Sequence, residues 1–338
     1  MTTAAERPAE AAASASDSAM AVRHAKPRLL ATYRTEAAIA VAIVLIEGLV
    51  GLLVPQALTW GNFADVMQAA APLVIMAIGQ LLVMITSGID LSVGSVFSLT
   101  GMVIALAMAY GMDGGASTAC GLGVGLIVGL INGGLVIFAG LAPFVVTLIT
   151  YASAGSLAFI VTNGHSMPVP DANYYLLNSG MLVPGVPNFA LFCIILTVAV
   201  EFVLRKVVAG RWLYAIGSSN EAARLLGIPV RGSRLSAYVV CSLLASFASV
   251  LSLSYISNAE ATAGSSLMLQ AIAAVVIGGA SLAGGTGSAI GAVLGAMMIT
   301  VIQNGVNLIG INSFWQGSVT GMVILVAVLI DRVGKARR

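Results

Sequence analysis

The chain is a succession of long apolar runs separated by short polar breaks. A helix that crosses the hydrocarbon core of a bilayer needs about 20 apolar residues. On that length the runs fall at 37–54, 70–87, 93–112, 117–138, 142–162, 188–204, 235–257, 267–283, 288–309 and 314–331. The pattern predicts an all-α polytopic membrane protein with about ten transmembrane helices. The polar breaks between runs are short except at 163–187 and 205–234.

Lys and Arg orient the array. They gather at Arg23–Arg34, at Arg205–Arg234 and at Arg332–Arg338, while residues 35–204 and 235–331 contain neither. Cytoplasmic loops carry the basic excess, so both termini and the 205–234 loop are expected in the cytosol. Six runs precede that loop and four follow it, and both numbers are even, as this orientation demands. Residues 1–36, rich in Ala and Ser, read as a disordered cytosolic tail, 37–331 as the transmembrane domain, and 332–338 as a basic cytosolic tail. A cleaved signal peptide fits less well, because Ala37–Val54 exceeds the usual 7–15-residue core. The loop 163–187 falls outside; it holds Pro168, Pro170, Pro184 and Pro187 and reads as a partner-docking loop or a plain connector.

Composition strengthens the membrane reading. Hydrophobic residues make up 59% of the 338, charged residues 8%, and the mean hydropathy is +1.02. A soluble domain is about 25% charged, so a soluble enzyme, a nucleic-acid-binding domain and a disordered chain are excluded. Glycine, at 38 residues, has a pattern of its own. Gly121, Gly125, Gly129 and Gly133 form a ladder at spacing four, and Gly287, Gly291 and Gly295 form another. That spacing puts the glycines on one helix face, where two backbones approach closely. Each ladder follows a similar break, Ser87-Gly-Ile-Asp-Leu-Ser-Val-Gly-Ser95 and Gly278-Gly-Ala-Ser-Leu-Ala-Gly-Gly-Thr-Gly-Ser288. Two loosely related halves are therefore expected, as in many transporters.

Few groups within the runs carry chemistry. Glu201 stands four residues before Arg205 and suits a helical ion pair. Glu47 has no partner in sequence and is expected to face protein or to be protonated. Asp90 either caps the helix that follows, accepting from two free backbone N–H groups, or lines a transport path. The amides Gln80, Asn132, Gln270, Gln303, Asn304 and Asn307 serve as helix-to-helix bonds or as path; Gln80, Asp90, Asn132, Gln270 and Asn304 are the candidate path residues. Cys120, Cys193 and Cys241 read as small core residues. His24 and His165 have no second ligand at metal spacing, so no metal site is expected. No catalytic set can be assembled from two histidines, and no phosphate loop precedes Lys206 or Lys335, so this chain is no enzyme and any ATP is hydrolysed on another chain.

The cytosolic loop holds the strongest motif, Gly210-Arg-Trp-Leu-Tyr-Ala-Ile-Gly-Ser-Ser-Asn-Glu-Ala-Ala-Arg-Leu-Leu-Gly-Ile-Pro-Val230. Ser219 or Asn220 can cap a helix, Glu221 suits its positive end, and Gly227 with Pro229 stops it. A helix of under two turns is marginal alone and is expected to dock, with Leu225, Leu226 and Ile228 as its apolar contact. Glu221-Ala222-Ala223-x-x-x-Gly227 resembles the coupling loop of ATP-binding-cassette importer permeases. Together with Ser87–Ser95 it resembles the ribose-type, monosaccharide branch of that superfamily, over about residues 35–332.

The resemblance implies a plasma (inner) membrane permease subunit that works by alternating access. It would dimerise with a copy or a paralogue, couple to a cytosolic ATPase through Glu221, Ala222, Ala223, Arg224 and Gly227, and receive sugar from an external solute-binding protein. A related permease for a branched-chain amino acid, a nucleoside or a furanone signal is the alternative. An ion-coupled carrier would show paired acids within spans, and here they are isolated.

Overall fold

The computed structural model describes residues 34–169, 182–183, 185–315, 317–318, 321–322 and 325. Residues 1–33 of the expected tail 1–36, the tail 332–338, most of the external loop 163–187 and most of the tenth run lie outside the described residues; residues 34–36, expected in the tail, are helical and begin the first helix. Nine runs are helices: α1 Arg34–Leu53, α2 Trp60–Ile85, α3 Val93–Ala109, α4 Gly114–Ile137, α5 Pro143–Ile160, α6 Asn188–Lys206, α9 Val230–Ile256, α10 Gly264–Ile277 and α11 Ala289–Leu308. Between α6 and α9 stand two shorter helices, α7 Val208–Ser218 and α8 Asn220–Leu225. Seven of the helices are long and apolar enough to cross a membrane; α3 and α10 are shorter apolar helices.

The boundaries depart from hydropathy where polar residues face protein. Helix α2 starts ten residues before the expected run because its first turns carry Asn62, Asp65 and Gln68. Thr59 caps it, accepting from the Asn62 N–H at 3.3 Å. Helix α10 ends at Ile277, six residues early, since Gly279, Gly284, Gly285 and Gly287 all have positive φ and hold the break open. Helix α4 starts where Asp113 Oδ1 accepts from the N–H groups of Gly115 and Ala116 at 2.9 and 3.0 Å.

Helix α2 is central and buried along most of its length, whereas only a third or less of the apolar stretch of α1, α5 and α6 is buried. Leu52, Ile160 and Val198 point away from the protein at 83%, 64% and 64% exposure, the arrangement of a bundle solvated by lipid. Between apolar helices in lipid, packing of small residues replaces the hydrophobic drive. The first glycine ladder does this work. A Cβ on Gly129 would come within 2.7 Å of Val239 Cα on α9, and one on Gly121 within 2.5 Å of Ile104 on α3. Gly291 and Gly295 of α11 likewise face the backbone of Gly278 and Ala274.

Cys193 and Cys241 are buried as expected, but Cys120 is exposed, because it lies off the α4 face that the ladder buries. At one end of the bundle Met167–Pro168 (β1) pairs antiparallel with Asn258–Ala259 (β2), and Trp60 Nε1 donates to the Gly185 carbonyl at 2.8 Å. The loops 86–92, 205–234 and 278–288 meet at the other.

Candidate functional site

Helix α8 projects from the basic loop. Ser219 Oγ caps it, accepting from the Ala222 N–H at 3.2 Å. Gly227 closes it with φ +73°. The Ile228 N–H donates to the Ala223 carbonyl at 3.1 Å and the Gly227 N–H to that of Arg224 at 3.0 Å, the paired bonds of a Schellman stop. Ala223 is buried against Ile216 and Val230, and Ile228 packs on the same cluster. Ile228 therefore turns inward, against expectation, because the Schellman stop folds the residue after the glycine back onto the helix. Glu221, Ala222 and Arg224 face solvent, and Leu225 and Leu226 are 85% and 78% exposed.

Helix α7 ties α8 to the two breaks. Tyr214 Oη donates to the Gly287 carbonyl at 2.8 Å; burial, with the Glu201 carboxylate next, pushes this phenol up to about 12, so it stays a neutral donor. Ser87 Oγ lies within hydrogen-bond reach of the Gly217 carbonyl (3.1 Å) and the Ala283 carbonyl (2.8 Å). The Gly285 N–H donates to the Ile85 carbonyl at 2.9 Å. The two similar breaks thus meet each other and the end of α7. A Cβ at Gly217 would overlap both Ile85 O and Gly285 N, so only glycine allows this approach.

Glu201 pairs with Arg205, and its second oxygen accepts from the Ala289 N–H at 2.7 Å. Ser288 caps α11 through the Gly291 N–H at 3.0 Å and donates to Glu36 Oε1 at 2.7 Å. Two carboxylates thus sit at the positive end of α11, where they are favoured.

Gln80, Asp90 and Asn132 come together in a sealed network and are all fully buried. Asp90 Oδ1 accepts from the Ser92 N–H at 2.8 Å and the Ser92 hydroxyl at 2.6 Å. One of these donors is a hydroxyl where two backbone N–H groups were expected, because α3 starts at Val93 with Ser92 as its N-cap, leaving Asp90 two residues too early for the helix amides. Asn132 Nδ2 donates to Ser92 Oγ at 2.8 Å, and Thr150 Oγ1 donates to Asn132 Oδ1 at 2.6 Å. With the Gln80 amide turned to suit its neighbours, it bonds the Asp90 carbonyl and N–H at 3.0 and 3.3 Å. This network fixes the break between α2 and α3 to α4 and α5.

Gln270 and Asn304 lie elsewhere, in a cavity of about 270 Å³ among α2, α9, α10 and α11. Asp65, Tyr255, Thr300, Gln303 and Asn307 add to its polar lining, and among the described residues no Lys or Arg lines it. Asn304 Nδ2 donates to Asn62 Oδ1 at 2.9 Å, and Asn62 Nδ2 reaches Glu47 Oε1 at 3.4 Å. Glu47 faces protein as expected. The cavity can surround a small neutral polar solute with amides, hydroxyls and one carboxylate.

Residues 62–328 match the family described as branched-chain amino acid transport system / permease component. The chain belongs to this permease family. It is a multi-pass inner-membrane protein and a transport subunit. The permease is 71% identical over 310 residues to a probable ABC transporter permease protein of Sinorhizobium fredii, covering 92% of this chain and 93% of that one. It is 36% identical over 294 residues to the ribose import permease of Escherichia coli, covering 86% and 92%. Identity to the autoinducer 2 import system permease of Photorhabdus luminescens is 32% over 292 residues, covering 86% and 88%. No solved structure matches the permease.

Several site residues escaped the sequence reading. Thr300 completes a polar stripe on α11 with Gln303, Asn304 and Asn307, which the sequence had already singled out as amides; the spacing i, i+3, i+4 and i+7 was the available signal for it. Asp65 lies four residues before Ala69 and eight before Leu73 on the same face of α2. Tyr214 and Ser87 gave no signal, since their partners are backbone carbonyls far away in sequence.

Proposed function

We propose that this permease is the membrane subunit of an ATP-driven, binding-protein-dependent importer of a neutral monosaccharide. The observation that carries the reading is the cavity: seven polar residues drawn from all four of its helices and, among the described residues, no cation to hold an anion. An unpaired charge transferred from water is costly, whereas a polyol needs only donors and acceptors. Relatives named for ribose import and for D-allose transport support a sugar. A branched-chain amino acid, which the family description names, would bring a carboxylate for which the cavity offers no basic side chain.

In this reading α8 docks on a cytosolic ATPase through Leu225, Leu226, Glu221 and Arg224. Closure of the ATPase pair moves α8, α7 carries the movement to both breaks, and the cavity opens alternately to either side. The external binding protein delivers the sugar near 163–187, and a second permease subunit completes the pore. Gln270 and Asn304 contact the solute in passing, while Gln80, Asp90 and Asn132 hold the helices between which it moves.

The test is ATP-driven uptake in vesicles with the binding protein and ATPase present, beside a calorimetric titration of the isolated permease with pentoses and hexoses. Uptake of a neutral sugar is expected, with no micromolar binding to the permease alone. Asn304→Leu should cut uptake severalfold while leaving thermal stability near wild type. Uptake confined to charged solutes, or tight sugar binding by the isolated subunit, defeats the reading.

A further inference from the structure

A second cavity, of about 310 Å³, lies at the cytosolic end between the α4–α5 turn and the start of α9. Arg224, Arg231 and Arg234 line it together with Gly140, Ala142 and Pro143. Among the described residues none of the three arginines forms an ion pair and no carboxylate lines the cavity. Arg234 Nε is sealed from solvent without an acceptor. The wall opposite holds the first residues of α5, whose N-cap Ala142 supplies no side-chain acceptor, so the positive end of an 18-residue helix faces the same space. Three guanidinium groups and a helix N-terminus in one cleft repel one another unless an anion lies between them.

The rim identifies the anion's carrier. Phe138 is 68% exposed and Leu141 45%, and along α5 Phe144 and Leu148, one turn apart, are 54% and 44% exposed. An apolar stripe therefore runs from the mouth of the basic cleft along a lipid-facing helix. We propose that this cleft binds the phosphate of an anionic phospholipid of the cytosolic leaflet, with an acyl chain lying over Phe144 and Leu148. Arginine holds a phosphate through two parallel hydrogen bonds, and basic clefts between spans on the cytosolic side suit anionic headgroups. Free phosphate gains nothing from the apolar rim, and an acidic protein surface would leave Phe138 and Phe144 facing its charges. Because Arg224 belongs to α8, such a lipid would steady the coupling helix from the membrane side.

The experiment is retention of phosphatidylglycerol against phosphatidylcholine by the full-length permease, read by native mass spectrometry and by thermal unfolding in mixed micelles. Wild type should retain phosphatidylglycerol preferentially and unfold at a higher temperature with it. Arg231→Gln, at an exposed position where folding is unaffected, should weaken retention roughly fivefold, the effect of one basic charge near the surface. Arg231→Lys should lose less. Equal retention of the two lipids, an equal thermal shift from inorganic phosphate alone, or unchanged retention in Arg231→Gln each overturns the proposal. So does an Arg231→Gln effect confined to ATPase association, which would assign the cleft to an acidic partner surface.

Discussion

Gly227 offers the sharpest test of the coupling loop. Its φ of +73° lies in the left-handed region, where a side chain costs about 1–2 kcal/mol. No atom lies within 4 Å of a Cβ built there, so steric overlap adds nothing and the whole effect is backbone conformation. Helix α8 spans six residues and an isolated helix of that length is marginal. A loss of about 1–2 kcal/mol then lowers the population of the closed stop about 5–30-fold. Gly227→Val should show this loss in full, Gly227→Ala somewhat less, and Gly227→Pro more, because proline fixes φ near −65°. Gly227→Asn should recover most function, since asparagine tolerates the left-handed region. The assay is ATPase association and ATP-driven uptake in vesicles, with membrane insertion measured separately and expected unchanged. Wild-type coupling in the Val and Pro variants, or an Asn variant no better than Val, would refute the reasoning.

Asp90→Asn and Asp90→Ser keep an acceptor for Ser92 and should retain most activity; Asp90→Leu strands two buried donors, at about 1–3 kcal/mol each, and should unfold at a lower temperature. Similar loss in all three variants would point to a role for the charge itself. Gly129→Ala forces α4 off α9 and should cost about 1–3 kcal/mol, while Gly123→Ala, whose Cβ meets nothing within 4 Å, should not destabilise; thermal unfolding in detergent separates them, and equal melting would contradict the packing role of the ladder. In a background freed of the exposed Cys120, single cysteines at Ser179 and Ser219 should react with impermeant reagent from opposite sides of the membrane, and reaction of both from one side would overturn the orientation.

Much of the fold was legible because hydropathy and charge report directly on what lipid and cytosol accept. Among the described residues nine of the expected apolar runs coincide with helices, although α2 begins ten residues earlier and α10 ends six residues sooner than hydropathy indicated, and the ladder glycines meet neighbouring helices at close range as their spacing implied. Gly227 announced its left-handed turn through Pro229 and the helix formers before it. What hydropathy misses is polarity satisfied by distant backbone. The Ser87 hydroxyl reads as an ordinary loop group until Ala283, 196 residues on, comes beside it. The early start of α2 was hidden for the same reason: Asn62 and Asp65 look like loop residues unless their helix faces a polar cavity. Glu201 looked fully explained by Arg205, and its bond to the Ala289 N–H shows that a satisfied local pair can also serve a remote helix end.

The placement of α7 bears on how a cytosolic event could reach the cavity. Its first half is pressed on α6, where a Cβ at Gly210 would overlap the Val203 carbonyl, and its end is pressed on both breaks at Gly217. A helix clamped at both ends has little slack, so in the proposed cycle displacement of α8 passes to the breaks rather than being absorbed in the loop. Helix α11 begins at the second break, anchored by Ser288 and by Glu201, and carries Asn304 in the cavity wall. At a rise of 1.5 Å per residue, Asn304 lies about 22 Å along the helix from Ala289. A tilt of about 10° about that anchored end moves Asn304 by roughly 4 Å, comparable to the reach of one hydrogen-bonding side chain. In the proposed transport cycle, tight glycine contacts at the cytosolic end and amides at the far end of the same helix are complementary parts of one lever: the first permits no slip, and the second turns a small angle into the making and breaking of solute contacts.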